Sequence, residues 1–278
     1  MDKKWVVFLG AGTSQVELIK KAAELGYRVL AIDQNDKAPG FNFADKKIVE
    51  STHDFEAIIK NLDIIDFSGI VARTTGKALF TAASLSKKYD IPGINFELAN
   101  IATSKSALRN FCISKDIKVP HGEKISTISD LDQDRFVDQI IVKPDFTITG
   151  KKSISKVKLS NEQGLENAID LALLSSGNKY VEVEEFIEGY DCTYLTWIKN
   201  GIPSILLSWD ELNSYDENNY LYQIGVSMPS ISLFINHSEK ILQIINKFAK
   251  FFPDVNSLLA FSFIVDERGY PFLIELHA

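Results

Sequence analysis

Hydrophobic positions follow two rhythms along the chain. Trp5 to Leu9 is continuous, β-branched and aromatic, the pattern of a parallel strand buried on both faces. Gly10-Ala11-Gly12-Thr13-Ser14-Gln15 then makes a tight turn, and Val16 to Leu25 carries a helical stripe stopped by Gly26. Tyr27 to Ile32 reads as a second strand, ending at Asp33, and Ala38-Pro39-Gly40 lies in a polar segment leading to a short strand, Lys46 to Val49. Asp54 to Leu62 is amphipathic at helical period. Ile70 to Arg73 is a strand with a polar end, Thr74-Thr75-Gly76 opens a helix running to about Tyr89, and Ile91-Pro92-Gly93-Ile94 reads as a small edge strand. Alternating strands and helices at this spacing predict a doubly wound parallel sheet with right-handed crossovers. Ligands of such sheets sit beyond the strand C-termini. Gly10, Gly12, Asp33, Arg73 and Thr74 gather there, with Gly12 and Arg73 as substrate candidates. Arg73 suits an anionic substrate and equally an ion pair with a neighbouring acid.

Beyond residue 100 the pattern changes. Ala102 to Ser114 is helical, with Lys105 and Arg109 four apart on one face. Asp116 to Pro120 is extended, and Ser129 to Phe136 begins another helix. Ile140-Ile141-Val142-Lys143-Pro144 is an apolar strand ending in a lysine, which is unfavourable to bury unless an anion meets it. The loop Thr147 to Ser153 offers hydroxyls, lysines and Gly150. It suits a phosphate chain and equally a solvated hairpin tip. Val157 to Leu159 returns as a strand and Asn161 to Leu174 as a helix. Tyr180 to Asp191 alternates, with Val181 and Val183 on one face, then presents Glu184, Glu185, Phe186 and Ile187; alone, it also fits an acidic edge strand. Cys192 to Lys199 and Ile202 to Trp209 flank Asn200-Gly201, a strong hairpin signal. Asp210 to Tyr222 reads as a substrate loop, and a helix is predicted from about Ser238 to Phe251. In the last hairpin, Leu259 to Val265 and Pro271 to Leu276, the loop length sets Ser262 opposite Glu275.

Composition narrows the class. At 278 residues, 45% hydrophobic and 24% charged, the chain has material for two or three packed units. A net charge of -7 argues against a general nucleic-acid binder. Cys112 and Cys192 make neither a disulfide framework nor a metal spacing, and read as buried thiols in a reducing compartment. No run of about 18 apolar residues occurs, and Trp5 to Leu9 is too short for a secretion signal, so a cytoplasmic protein without a membrane partner is expected. The Gly turn with Asp33 also admits a nicotinamide-dependent oxidoreductase, but Gln15 stands where the dinucleotide fingerprint needs its third glycine.

The order of these parts resembles the ATP-grasp superfamily: Ser104-Lys105 opening a helix, I-V-K-P with Lys143, a Gly/Thr/Ser/Lys loop, a helix, then V-E-V-E-E-F-I-E-G-Y-D. The opening V-F-L-G-A-G-T-S-Q and A-P-G-F-N-F-A-D suit the branch of biotin carboxylase, carbamoyl phosphate synthetase and the purine carboxylate ligases. The resemblance implies an α/β protein: a Rossmann-like sheet domain over 1–100, then a two-lobed ATP-grasp domain with a lid subdomain over 101–187 and a C-terminal subdomain over 188–278, incomplete at its end. It implies an ATP-dependent carboxylate–amine ligase working through an acyl phosphate, with ATP and Mg2+ as cofactors and small-molecule carboxylates and amines as partners. A homodimer is compatible with it. By similarity, Lys105 and Lys143 contact the ATP phosphates and are the catalytic candidates, under a lid from Phe146 to Ser153 that includes Gly150. Glu184 takes the adenine amino group beside the backbone of Glu185, Phe186 and Ile187, and Asp191 takes the ribose. Glu275 and His277 are the metal candidates. Ser262 stands where the family carries a second acid, and His277 where it carries Asn; Asp210, Glu211 and Glu217 are the acids available to substitute. These departures motivate an alternative: a catalytically impaired nucleotide-binding module.

Overall fold

The computed structural model describes residues 4–62, 66–73, 76–146, 153–217 and 219–278. The chain divides into two compact units, one formed by Met1–Ala99, Asp254–Ser257 and Ala278, the other by Asn100–Pro253 and Leu258–His277.

The first unit begins with β1 (Trp5–Leu9), α1 (Val16–Glu24), β2 (Arg28–Asp33), β3 (Lys46–Val49), α2 (Phe55–Leu62), β4 (Phe67–Val71) and α3 (Lys77–Tyr89). Its four strands are parallel in the order β3-β2-β1-β4. Val7, Phe8 and Leu9 of β1 and Val29 to Ile32 of β2 are buried, as a continuous apolar run requires of a sheet covered on both faces. The Gly10 turn is pinned from the next strand: the Ala11 amide donates to Asp33 Oδ2 at 2.8 Å. The segment 91–94 forms no strand; Pro92 and Gly93 bend it into a connection. Thr74 lies outside the described residues.

In the second unit α4 (Phe96–Thr103, which begins in the first) breaks at Ser104 and restarts as α5 (Lys105–Ser114). The Ser104 hydroxyl caps α5, accepting from the Ala107 amide at 3.2 Å. Then follow β5 (Gly122–Ile125), β6 (Gln139–Pro144), β7 (Ser155–Lys158), α6 (Glu162–Ser175) and β8 (Val181–Glu185). Between β5 and β6 the expected helix at 129–136 is replaced by two short 3-10 turns, Ile128–Asp130 and Gln133–Arg135. Asp130 is bonded to the Ser126 and Thr127 amides, a local closure that competes with helix.

These strands pair antiparallel in the order β5-β8-β6-β7, so β8 is internal and not an edge. One face of the sheet is apolar: Ile140, Val142, Val181 and Val183 pack with Leu165, Ile169 and Ala172 of α6. The other face carries Lys143, Glu182 and Glu184.

The remainder is β9 (Gly189–Lys199), β10 (Ile202–Tyr215), β11 (Leu221–Ser227), α7 (Ser238–Ala249), β12 (Asn256–Asp266) and β13 (Pro271–His277), in a five-stranded sheet ordered β11-β10-β9-β12-β13. Residues 210–215, expected in a loop, continue β10 and pair with β11. Their side chains are mostly polar because this part of β10 faces a cavity and not the core. Ser262 does pair with Glu275.

Gly189, at the start of β9, has a steric reason. A Cβ there would lie 2.1 Å from the Val265 carbonyl oxygen. Gly189→Ala should lower stability by about 1–3 kcal/mol through forced backbone displacement. Urea unfolding tests this, with Gly225→Ala as reference, since a Cβ at Gly225 meets nothing within 4 Å. Equal midpoints for the two variants would contradict it.

Candidate functional site

The second unit holds a cavity of about 630 Å³ between its two sheets. The side chains of Lys105, Lys143, Glu184, Asp191, Ser262 and Glu275 all reach it, together with Phe186 and Ile187. Sequence positions spread over 170 residues therefore meet in one place.

The anchor of this arrangement is Asp145, which sequence reasoning missed. It follows the strand-ending Pro144 and is fully buried. Its Oδ1 accepts from the Ser106 amide at 2.7 Å and from the Ser104 hydroxyl at 2.9 Å; its Oδ2 accepts from Asn178 Nδ2 at 2.6 Å and lies 3.2 Å from Lys124 Nζ. Its carbonyl oxygen accepts from the Lys105 amide at 3.0 Å. Burial alone would raise its pKa, but these hydrogen bonds and the Lys124 charge hold it below the ordinary value. Asp145 thus ties the start of α5, which carries Lys105, to the end of β6, which carries Lys143. The signal available in sequence was the spacing of S-K-S and K-P-D, a helix cap and a strand end each flanked by groups that one carboxylate can join.

Lys143 meets the anion its position demands. Its Nζ donates to Glu184 Oε2 at 2.6 Å, with both groups nearly buried. Beside them Glu182, opposite Lys143 in register, is fully buried and bonded to Arg109 Nε from α5. Its Oε2 has no hydrogen-bond partner. Burial raises the Glu182 pKa to about 7; Arg109 opposes the shift and the Glu184 charge adds to it. Period-two alternation put Glu182 on a polar face without showing that α5 covers it.

Among the purine-binding candidates, the Glu185 amide donates to the His121 carbonyl at 2.9 Å and the Phe186 amide to the Gln139 carbonyl at 3.1 Å. Those two donors are already used within the fold. The Phe186 ring lies under Lys156 Nζ, 3.6 Å from its centroid. Asp191 accepts from Asn213 Nδ2. Ser153 is described, and its hydroxyl is bonded to Ser175 of α6 at 2.5 Å; Gly150 lies outside the described residues.

At the opposite end Glu275 Oε1 lies 3.2 Å from Lys105 Nζ, and Oε2 lies 3.4 Å from His277 Nε2. Burial opposes ionisation of Glu275, but the Lys105 charge and the His277 hydrogen bond hold its pKa well below 4.5. His277 is raised above 6.5: burial lowers it, and Glu275 outweighs that. Ser262 shares a 2.9 Å hydrogen bond with Thr193, whose hydroxyl donates to Glu211 Oε1 at 3.0 Å. Carboxylate and hydroxyl oxygens are the donors a hard cation takes, so Glu275, Ser262, Thr193 and Glu211 fit Mg2+; the His277 imidazole suits it less. Among the described residues no three acids, histidines or cysteines form a closed metal cage.

Gly12 and Arg73 lie in the first unit. Arg73 Nη1 donates to the Ser14 carbonyl at 2.8 Å, and Gln15 Nε2 donates to the Arg73 carbonyl at 2.8 Å, which ties the chain after β4 to the turn after β1 that contains Gly12. Asp33, the acid beside the Gly turn, accepts from the Ala11 and Asn35 amides. Cys112 and Cys192 are buried, and burial raises both thiols, Cys112 to about 12. Among the described residues no helix is long and apolar enough to cross a membrane.

No protein-family model matches the chain. It is 30% identical over 206 residues to a formate-dependent phosphoribosylglycinamide formyltransferase of Prochlorococcus marinus (strain MIT 9301), a match covering 70% of this chain and 51% of that protein. The chain spans about half the length of the curated relatives it matches. Among solved structures, an L-amino acid ligase from Bacillus licheniformis superposes with a TM-score of 0.79 at 17% identity, covering 100% of this chain and 67% of that one. N5-carboxyaminoimidazole synthetase from Staphylococcus aureus, complexed with ADP, superposes with a TM-score of 0.78 at 16% identity, covering 99% and 70%. These likenesses establish the fold, which is that of the ATP-grasp enzymes.

The buried acid pair generates a pH dependence. Glu182 binds its proton more tightly folded than unfolded, so its contribution to stability is complete below about pH 4.5 and is lost as pH rises through about 7. His277, also raised, acts in the same sense above 6.5. Unfolding free energy should therefore decline between pH 5 and pH 8, and Glu182→Gln should flatten that decline, measured by urea titration at fixed pH. An unchanged slope in the variant would remove Glu182 from this role.

Proposed function

We propose that this protein binds ATP with Mg2+ in the cavity of its second unit and uses it to join a carboxylate to an amine. The carrying observation is that two buried lysines, Lys105 from a helix start and Lys143 from a strand end, face one cavity in this fold. Two ammonium groups on the wall of a partly desolvated cleft, each held in place by a carboxylate (Glu275 and Glu184), are groups that a polyphosphate and its transferring phosphoryl group can recruit.

In this reading Lys105 and Lys143 contact the phosphates and are the catalytic cations. Glu184 accepts from the adenine amino group, residues 185–187 contribute backbone carbonyl oxygens, and Asp191 meets the ribose. Ser153 would contact the phosphates, as would Gly150, which lies outside the described residues. Glu275 and His277 stand at the metal end; Mg2+ would neutralise charge on the phosphate oxygens there. The substrate carboxylate attacks the γ-phosphorus, ADP leaves, and an acyl phosphate remains. The amine then attacks the acyl carbon, phosphate departs, and the amine loses a proton. No protein nucleophile is needed, which fits the buried, high-pKa thiols of Cys112 and Cys192. We read 1–100 as the Rossmann-like domain, with Gly12 and Arg73 as its substrate candidates, 101–187 as the lid subdomain, and 188–278 as the C-terminal subdomain. The partners are small carboxylates and amines in the cytoplasm, without nucleic acid or membrane, and a homodimer is compatible with this reading.

Lys143→Ala should weaken ADP binding by about tenfold or more in calorimetry, the loss expected for a charge-assisted hydrogen bond, and should abolish ADP release from ATP with a panel of carboxylates and amines. Unchanged binding in the variant would refute the assignment. A second reading, nucleotide binding without turnover, rests on Ser262 at the position opposite Glu275. Wild-type protein that binds ADP and never releases it from ATP under any substrate pair would establish that reading instead.

A further inference from the structure

At one end of the cavity the polar side chains form a row across four strands. Four adjacent strands, β10, β9, β12 and β13, each contribute one polar residue to it: Glu211, Thr193, Ser262 and Glu275. Three are joined by hydrogen bonds, Glu211 to Thr193 at 3.0 Å and Thr193 to Ser262 at 2.9 Å, and Ser262 faces Glu275 in register. The hydroxyl of Ser262 supplies no charge beside Glu275, so a single carboxylate would face the metal from that pair.

Of the three acids that can replace the missing charge, two are committed elsewhere. Asp210 accepts from the Ser230 hydroxyl at 2.6 Å and the Ile231 amide at 2.8 Å, fixing the chain after β11. Glu217 lines a separate cavity, of about 580 Å³, bounded by β7 and the start of α6. Glu211 Oε1 on β10 accepts from the Thr193 hydroxyl on β9, and that hydroxyl is in turn bonded to Ser262 on β12.

We propose that Glu211 supplies the second carboxylate of the magnesium end, reaching from β10 to the place where Ser262 provides only a hydroxyl, with Thr193 orienting it. This rests on the reading of the cavity as an ATP site. A carboxylate sent from two strands away serves a cation that keeps several waters and takes its remaining ligands from phosphates.

The test uses Mn2+ as probe in the presence of ADP, with bound and free metal separated by electron paramagnetic resonance. Glu211→Gln should weaken ADP-dependent Mn2+ binding by roughly tenfold or more, since even groups that only orient a metal ligand cost that much. Metal-free ADP binding, measured by calorimetry, should stay within about twofold, as the nucleotide contacts are left intact. Adding Ser262→Glu to Glu211→Gln should restore Mn2+ binding, a rescue that a purely structural Glu211 would not allow. If Glu211→Gln leaves Mn2+ affinity unchanged while Glu275→Gln lowers it, the proposal is overturned and the nucleotide site stands. If wild-type protein binds neither ADP nor Mn2+ with ADP, the reading of the cavity falls, and this proposal with it.

Discussion

One buried carboxylate organises the second unit. Asp145 has no exposed surface, and an ion in that position is tolerated only because donors converge on it from four directions. The convergence is what gives it leverage. The Ser104–Ser106 segment, Asn178 and Lys124 belong to three separate stretches of chain, and all are oriented by the same two oxygens. Because the residue on its N-terminal side ends β6 and its hydrogen-bonded partners begin α5, the spacing between Lys105 and Lys143 follows from backbone geometry at one knot. Two buried cations would otherwise repel each other; here each is given its own acid, Glu275 for Lys105 and Glu184 for Lys143.

Much of this was legible before any coordinates, and the reasons differ by element. The strands of the first unit follow from uninterrupted apolar runs, because a parallel sheet buried on both faces leaves no polar alternation to misread. The anion required by Lys143 followed from the unfavourable burial of an ammonium, and the facing of Ser262 and Glu275 from the length of a hairpin loop. Other features were hidden for physical reasons. The stretch 210–215 is polar because it faces a cavity and solvent, which a sequence reading cannot tell from a loop. Glu182 sits at a position that alternation marks as outward, yet α5 covers it. Asp145 depends on partners 39 and 41 residues upstream and 33 downstream, and local pattern carries no information about them.

The two ends of the cavity are built on different sheets and with different chemistry. The sheet of β5, β8, β6 and β7, with Arg109 of α5 laid against it, offers opposite charges in balance, Lys143 and Arg109 against Glu182 and Glu184. The five-stranded sheet offers a row of oxygens, with one cation and one imidazole gathered at Glu275. Substituting a hydroxyl for an acid at position 262 changes the charge of that row without breaking its hydrogen bonding, since Thr193 and Ser262 satisfy one another. A fold can therefore keep its packing while the electrostatics of its mouth drift, and the drift is invisible to any measure of structural likeness.

The short contact between Lys143 and Glu184 has a consequence for selectivity. The two groups neutralise each other, so a guest that recruits only the ammonium strands a carboxylate in a nearly dry pocket, and a guest that recruits only the carboxylate strands an ammonium. Free phosphate is a guest of the first kind, and an uncharged purine is one of the second. A molecule that presents an anion and a hydrogen-bond donor at the matching separation divides the pair and satisfies both halves at once. On the proposed nucleotide reading, the pocket would act as a coincidence detector, in which the ion pair guards the site against each fragment of the molecule that fits it whole.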